Sequence, residues 1–227
     1  MNIVIINGSP RKNGATATIL HTMEQHLLQK ENVHVDFVDI SSLHMAPCKG
    51  CCSCYKTGHC YMKDDAERLS NRIEEADGLI IGSPTYASNV SGQLKQFIDR
   101  GHFVIEQLLH NKYAISVVTG ENYGSRGTSK FLKKLLKYSG AKISGNIIHN
   151  LPFNENPDTN NKLKTKISYL ADKMYNDIEK KKKYLLQYIF QKVTFAIGIK
   201  PFVTRKGESY KAVLSRWKKY QIITDKK

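Results

Sequence analysis

All five cysteines of this 227-residue chain lie within one short segment, "CKGCCSCYKTGHC", at residues 48–60. Cysteines that serve as small core residues are scattered along a chain, whereas a dense group of thiols has the composition of a chemical site. Because five is an odd number, the group does not form a complete disulfide framework. The segment therefore predicts a metal, redox or catalytic site that uses thiols.

The amino terminus indicates the compartment in which these thiols work. The segment "MNIVIINGSPRKNG", residues 1–14, lacks the charged, apolar and small-residue order of a signal peptide, and it is typical of a strand entering a glycine-rich loop. We therefore expect a cytoplasmic protein, in which thiols stay reduced. The longest apolar stretch, residues 184–199, is too short for a bilayer and carries Lys192 near its middle, so we expect a packing helix and no membrane span.

Charge is unevenly spread along the chain. The formal net charge is +15, and most of it falls in residues 151–227, with basic blocks at 179–183 and 216–220. Such blocks attract nucleic acid, anionic lipid or an acidic partner, or they are solvated lysines on amphipathic helices. We favour solvated helices and expect no nucleic acid, because aromatic residues are not interleaved in the way that a recognition module shows.

Residues 1–150 alternate strand-like and helix-like segments. Short apolar runs predict strands at 2–6, 33–40, 77–84, 113–120 and 142–149, and the intervening amphipathic patterns predict helices near 16–30, 65–76, 91–100 and 127–138. Strands that are separated by helices favour an α/β fold with a parallel sheet covered on both faces. Ligands of such sheets bind at the carboxyl ends of the strands, so the loops after the first, third and fourth strands are the ones to examine.

The loop after the first strand, "NGSPRKNGATAT" at residues 7–18, is a candidate phosphate site. It matches neither the dinucleotide pattern G-x-G-x-x-G nor the triphosphate pattern G-x-x-x-x-G-K-[ST]. It does supply Gly8 and Gly14, several hydroxyls, the cation Arg11 and the backbone amides of a helix N-terminus. This set suits a single terminal phosphate without magnesium; the other reading is an ordinary turn between a strand and a helix.

Taken together, three loop sequences resemble the flavodoxin-like NAD(P)H-dependent FMN reductase family. They are the phosphate loop, "GSPTYASNVSGQLKQFIDR" at 82–100 and "TGENYGSRG" at 119–127, and the resemblance covers about residues 1–150. It implies a doubly wound five-stranded parallel sheet that binds FMN. By the resemblance, the FMN phosphate is bound by Ser9, Arg11, Asn13 and Thr16; the isoalloxazine ring is lined by Pro84, Thr85, Tyr86 and Asn89; and its other edge is closed by Thr119, Gly120 and Gly124.

The cysteine spacing places the chain nearer to one branch of that group. Cys48, Cys51, Cys54 and Cys60 give Cys-x2-Cys-x2-Cys-x5-Cys with Cys52 left over, which is similar to the motif of iron-sulfur flavoproteins that carry a [4Fe-4S] cluster beside FMN. Thiolates two residues apart reach three corners of a small cube, and a fourth on a short loop closes it. Zinc, or free and redox-active thiols, remain the alternatives.

The resemblance implies an oxidoreductase whose chemistry is carried by FMN, with no catalytic side chain. In the first reading, NAD(P)H reduces FMN and a small molecule accepts the electrons. In the alternative, an electron carrier with a [4Fe-4S] cluster accepts electrons from ferredoxin or a ferredoxin-like protein. We also expect a flavodoxin-like domain at 1–150, a basic C-terminal helical extension at 151–227 that packs on the core or on a partner subunit, and a homodimer or homotetramer.

Overall fold

The computed structural model describes residues 1–152, 155, 157 and 160–224. Its centre is a parallel five-stranded sheet in the order β2-β1-β3-β4-β5. The strands are β1 (Asn2–Asn7), β2 (His34–Asp39), β3 (Gly78–Pro84), β4 (Tyr113–Gly120) and β5 (Lys142–Asn150). The chain moves outward from β1 to β2 and then crosses to β3, so the winding direction reverses beside β1. This is the flavodoxin order, and the predicted fold class is confirmed.

The strands form where the sequence has short runs that are apolar on both sides. In β1, Ile3 and Ile5 pack on one face of the sheet while Val4 and Ile6 pack on the other. All of β3 is buried as well. A strand covered on both faces needs a continuous apolar run rather than an alternating one, which is why these strands were visible in the sequence. All five predicted strands are confirmed, each with boundaries within one residue of the prediction.

Helices cover both faces of the sheet. Their bounds are α1 (Ala15–Leu28), α2 (Ser53–Thr57), α3 (Asp65–Glu75), α4 (Gly92–Arg100), α5 (Ser125–Tyr138), α6 (Asn161–Glu179), α7 (Leu185–Thr194), α8 (Lys200–Arg205) and α9 (Lys211–Lys219). Helices α1 and α6 share a hydrophobic core with one face, and α3, α4 and α5 share a core with the other. The side chains of Asp64 and Ser91 cap α3 and α4 by accepting hydrogen bonds from the amides of Ala66 and Leu94.

The C-terminal helices form a third, smaller core. Buried Val203, Tyr210, Val213 and Trp217 pack together, and Tyr55 of α2 joins them. The predicted helix at 184–199 is present as α7 followed by a π-helical segment, Phe195–Ile199. It buries no residue fully within the chain. The division of the chain into two parts at residue 150 stays a prediction. Helix α6 follows that point in the sequence, yet it packs against α1 of the first part.

Within the described ranges, no helix combines the length and the apolar character needed to cross a membrane.

Candidate functional site

A cavity of about 630 Å³ opens at the carboxyl ends of β3 and β4, next to the loop that follows β1. A volume of this size is typical of sites for cofactors and other small molecules. Seven of the sequence-predicted FMN residues line it: Arg11, Asn13, Pro84, Thr85, Tyr86, Thr119 and Gly120. Other lining residues come from the segment just after β5, which the sequence did not indicate: Leu151, Pro152, Glu155 and Pro157.

The loop after β1 is held close to β3. The amide of Gly8 donates to the carbonyl oxygen of Gly82 at 2.8 Å, and a Cβ at Gly8 would lie 2.6 Å from that oxygen. This close approach requires glycine at position 8. Ser9 is buried; its hydroxyl oxygen accepts from the amide of Arg11 at 3.1 Å. Ser9 therefore shapes the loop and does not line the cavity.

The N-terminus of α1 faces the same cavity. Gly14 precedes the helix in an extended conformation, and Gly14, Ala15 and Arg11 all line the cavity. Among the described residues no side chain caps this helix end, and its first turn holds no acidic residue. Uncapped amides and the positive end of the helix dipole bind an anion such as a phosphate.

Thr16, in the first turn of α1, is buried and bonds to β4. Its hydroxyl lies 2.7 Å from the hydroxyl of Thr119, so this pair fixes the helix against the strand end. Thr16 is among the predicted phosphate residues, yet only its partner Thr119 lines the cavity.

A tight turn follows β3. The backbones of Tyr86 and Asn89 exchange two hydrogen bonds, at 2.8 and 2.9 Å, while Ala87 and Ser88 between them have φ values of 49° and 61°. Two successive left-handed residues that are not glycine cost conformational energy, and such positions concentrate at functional sites. The turn presents Tyr86, 44% exposed, at the edge of the cavity. Asn89 does not line the cavity, and its side-chain oxygen accepts from the amide of Val90.

Two glycines, one at the carboxyl end of β4 and one in the loop that follows, lie in close contacts. A Cβ at Gly120 would lie 2.2 Å from the hydroxyl oxygen of Ser125. Gly124 has a φ of 87°, and a Cβ there would lie 2.7 Å from the hydroxyl oxygen of Ser88. Gly120 lines the cavity, whereas Gly124 supports the turn behind Tyr86. A backbone wall, an exposed aromatic ring and an uncapped helix end together fit a flat cofactor that carries a phosphate.

A second, smaller cavity of about 90 Å³ is lined by all five cysteines. None of them is paired in a disulfide. The four residues of the predicted motif, Cys48, Cys51, Cys54 and Cys60, thus face one space, as does Cys52. Four thiols around one cavity form a soft donor set, which fits an iron-sulfur cluster or zinc and does not fit magnesium or calcium.

Cys54 is the most perturbed thiol of the group. Burial, reinforced by the negative charge of Glu106 and by the neighbouring Cys60, raises its pKa to about 12. A metal that binds this sulfur must displace a proton, because the metal-free thiol stays protonated at neutral pH. Ligand atoms of Cys54, His102 and Glu106 lie within 4.8 Å of one another. No local pattern predicts this grouping, because His102 and Glu106 belong to an irregular segment without periodicity.

Arg100, the last residue of α4, also lines the cysteine cavity. Its Nη2 donates to the sulfur of Cys60 at 3.3 Å, and its Nη1 pairs with the carboxylate of Asp64. Burial alone would raise the pKa of Asp64, but the bonds from Arg100 and from the amides of Ala46 and Ala66 lower it. Arg100 therefore forms an ion pair and contacts a cysteine ligand candidate with the same guanidinium.

Helix α4 connects the two cavities. It begins just after the turn that carries Tyr86, and its final residues, Asp99 and Arg100, line the cysteine cavity. At 1.5 Å per residue, its nine residues span roughly 12 Å. The two cavities share no lining residue within the described part of the chain. The chain therefore offers two separate cavities, one near each end of α4.

Comparison with known proteins gives one family match and several relatives. The model of the family described as NADPH-dependent FMN reductase matches residues 1–154. An iron-sulfur flavoprotein of Clostridioides difficile (strain 630) is 36% identical over 226 residues, which is 98% of this chain and 100% of that protein. An iron-sulfur flavoprotein of Methanosarcina thermophila is 30% identical over 153 residues, 66% of this chain and 80% of that protein.

Solved structures are similar in fold. The apo form of an NADH:FMN oxidoreductase (EMOB) superposes with a TM-score of 0.59 at 18% identity, covering 82% of this chain and 92% of that one. Oxidised flavodoxin 1 from Bacillus cereus superposes with a TM-score of 0.54 at 15% identity, covering 78% and 98%. At these identities the likeness shows a shared fold.

Proposed function

We propose that this chain, which belongs to the NADPH-dependent FMN reductase family and to its iron-sulfur flavoprotein branch, carries a [4Fe-4S] cluster and passes single electrons between that cluster and FMN. The observation that supports this most is the gathering of four suitably spaced cysteines around one cavity at the far end of the helix that starts beside the flavin site. Family membership makes the chain an FMN-dependent oxidoreductase; the cluster and the electron route are the proposal.

Each wall of the larger cavity has a role in holding FMN. Bound FMN supplies an isoalloxazine ring that exchanges electrons one or two at a time. The amides at the start of α1, with Arg11 and Asn13, bind the phosphate. Tyr86 packs against the ring, with Pro84, Thr85, Thr119 and Gly120 along its edges. Ser9, Thr16, Asn89 and Gly124 hold these loops in shape.

In the smaller cavity, Cys48, Cys51, Cys54 and Cys60 ligate the cluster. Cys52 lines the same cavity, but its thiol has other partners. It has a left-handed backbone with φ 56°, and its thiol interacts with the hydroxyl of Tyr210 and with the carbonyl oxygen of Gly50. We therefore assign Cys52 no ligand role.

A protein electron donor fits the surface around this cavity. Lys49, Lys56 and Lys63 are exposed within and beside the cysteine segment. Exposed positive charge beside a site steers an acidic protein towards it, and a ferredoxin-like donor of one electron at a time is such a partner.

Direct reduction by NAD(P)H is the second candidate. The family description names NADPH, and the 44% exposure of Tyr86 leaves the edge of the flavin cavity open to a second planar ligand. A small-molecule electron acceptor would use the same opening. We further propose a cytoplasmic homodimer or homotetramer, because α7 and the π-helical segment leave Leu186 82% and Ile197 76% exposed.

Anaerobic reduction kinetics distinguish the two routes. Flavin absorbance is followed after mixing with reduced ferredoxin, NADH or NADPH, in the wild type, Cys60→Ala and the matched control Cys52→Ala. We expect the rate of flavin reduction by ferredoxin to fall at least tenfold in Cys60→Ala. In Cys52→Ala this rate should equal that of the wild type. Equal ferredoxin rates in all three proteins, with fast reduction by a nicotinamide, would contradict the cluster route and favour the plain reductase.

A further inference from the structure

We propose that Arg100 is a hydrogen-bond donor to the bound cluster and makes its reduction potential less negative, an inference that rests on the proposed function of the cysteine site. Arg100 is thus a positioning and tuning residue that contacts a cluster ligand, and it takes no part in proton or hydride transfer.

The positively charged side chain of Arg100 is buried. Its side chain is 1% exposed, which is rare for arginine unless every polar atom has a partner. Nη1 donates to the carbonyl oxygen of Ala46 at 3.0 Å and to Asp64, and Nη2 donates to the carbonyl oxygen of Met62 at 3.4 Å and to the sulfur of Cys60 at 3.3 Å. These bonds occupy both ends of the guanidinium fork.

The fifth N–H of this guanidinium has no acceptor. Within the described residues, the buried Nε of Arg100 makes no hydrogen bond. A buried donor without a partner loses its hydrogen bond to water without replacing it, and the cost is greater when the group is charged, so such atoms are rare in folded proteins. Because Arg100 lines the cysteine cavity, a sulfide or thiolate sulfur placed there is the acceptor that this N–H lacks.

The same bonds hold the cysteine segment at both ends. Ala46 precedes the first cysteine, and Met62 and Asp64 follow the last one. Asp64 also accepts from the amide of Ala46 at 3.0 Å and caps α3. Arg100 therefore ties the two ends of the cysteine segment together and donates a hydrogen bond to Cys60. Its own backbone belongs to α4.

This arrangement has a predictable electronic effect. Reduction by one external electron adds one negative charge to the unit formed by iron, sulfide and the four thiolates. Hydrogen bonds to the sulfurs and a nearby positive charge stabilise the more negative state, which raises the potential. Lysine keeps the charge but offers a single nitrogen, so it cannot bond Asp64, Ala46 and a sulfur in this fork geometry.

The test uses full-length protein, loaded with FMN and reconstituted with iron and sulfide without oxygen. Cluster and flavin midpoint potentials are measured by dithionite titration with electron paramagnetic resonance and absorbance readouts. The variants are Arg100→Lys and the double variant R100M/D64N, which removes both charges and so avoids a stranded carboxylate. Arg72→Lys is the matched control, since Arg72 pairs with Asp36 on the exposed side of α3.

Iron and sulfide analysis is done first, because absence of both from the reconstituted wild type overturns the proposed cluster and this inference with it. Given a loaded wild type, we expect a more negative cluster potential in Arg100→Lys, a larger shift in the double variant, and an unchanged value in Arg72→Lys. The flavin potential should move less than the cluster potential. A cluster potential in both Arg100 variants equal to that of the wild type would overturn the role of Arg100 while leaving the cluster proposal standing.

Discussion

Tyr55, one residue after Cys54, stacks on Tyr210 near the carboxyl end of the chain, with ring centroids 4.6 Å apart. Burial of this contact raises the pKa of Tyr55. The contact belongs to the small core that contains Trp217, and Gly58 in the same segment lies next to Ala212. The C-terminal helices therefore pack against α2, the part of the cysteine segment that holds Cys54, while Cys48, Cys51 and Cys52 stay exposed.

Loss of Trp217 should destabilise this region strongly. Its ring is fully buried, and its Nε1 donates to the carbonyl oxygen of Ile105 at 3.1 Å. Phe195 packs edge-on against it, with the two ring centroids 4.8 Å apart. Trp217→Ala leaves a large cavity and should lower the free energy of unfolding by about 3–5 kcal/mol. Urea denaturation measures the change. Tyr169→Ala, at a side chain 61% exposed on α6, is the control and should shift stability little; equal losses in both variants would refute the importance of the small core.

Removal of the cation in the phosphate loop should weaken FMN binding. Arg11→Met takes away a charge-assisted contact while leaving the amides of α1 in place, so affinity should fall by about 10- to 150-fold, which corresponds to ~1.5–3 kcal/mol. Fluorescence quenching of free FMN on titration with apoprotein gives the dissociation constant. The neighbouring Lys12→Met removes an equal charge that does not line the cavity. Equal effects of the two substitutions would place the phosphate elsewhere.

Gly120→Ala should disturb the flavin cavity through packing. The new methyl group would lie 2.2 Å from the hydroxyl oxygen of buried Ser125, at the start of α5, so this hydroxyl must rotate away within a packed environment, at a cost of about 1–3 kcal/mol. We expect a lower midpoint of thermal unfolding and weaker FMN binding. Gly92→Ala is the control, since a Cβ at Gly92 meets nothing within 4 Å. The close packing around Gly120 is disproved if both variants melt and bind alike.

His110 should make stability depend on pH in the acid range. It lines a cavity of about 570 Å³ near the amino ends of β4 and β5, where burial, with Lys192, Lys142 and Lys112, lowers its pKa to about 4. In the unfolded state the pKa of His110 is near 6.5, so the unfolded chain binds the proton more tightly than the folded one. The penalty that protonation of His110 imposes on folding is therefore absent above pH 6.5, and the protein loses stability as the pH falls towards 4.

The matching experiment compares the wild type with His110→Gln. Between pH 6.5 and 4 the wild type should lose about 1–3 kcal/mol more than the variant, because the half-exposed position tempers the effect. Urea denaturation across this range gives both curves. Parallel curves for the two proteins would show that His110 titrates normally in the folded state.

The sheet could be predicted from sequence because its strands are buried on both faces and read as apolar runs bounded by glycine, serine and charged residues. The loops at its carboxyl edge were also visible, since Gly8, Pro84 and Gly124 are residue types that tight backbone geometry demands. The neighbourhood of the cysteines was not visible. Arg100 and Glu106 approach them only through the tertiary path of α4 and the irregular segment after it, and no local pattern encodes that meeting.

The packing of the C-terminal helices is likewise a contact between distant segments that the local sequence does not predict. The amphipathic pattern around Trp217 predicts that one helix face is covered, yet it does not say by what. In the structure that face covers the segment at residues 53–58, more than 150 positions earlier in the chain.

The most direct test of the account is the flavin, iron and acid-labile sulfide content of protein purified and reconstituted without oxygen, since air would strip a sensitive cluster and oxidise its thiols. We expect about one FMN and about four iron and four sulfide atoms per chain in the wild type and in Cys52→Ala. In Cys60→Ala, iron and sulfide should be lost while FMN stays bound. Yellow protein that holds FMN but no iron, with all five thiols titratable after reconstitution, would contradict it.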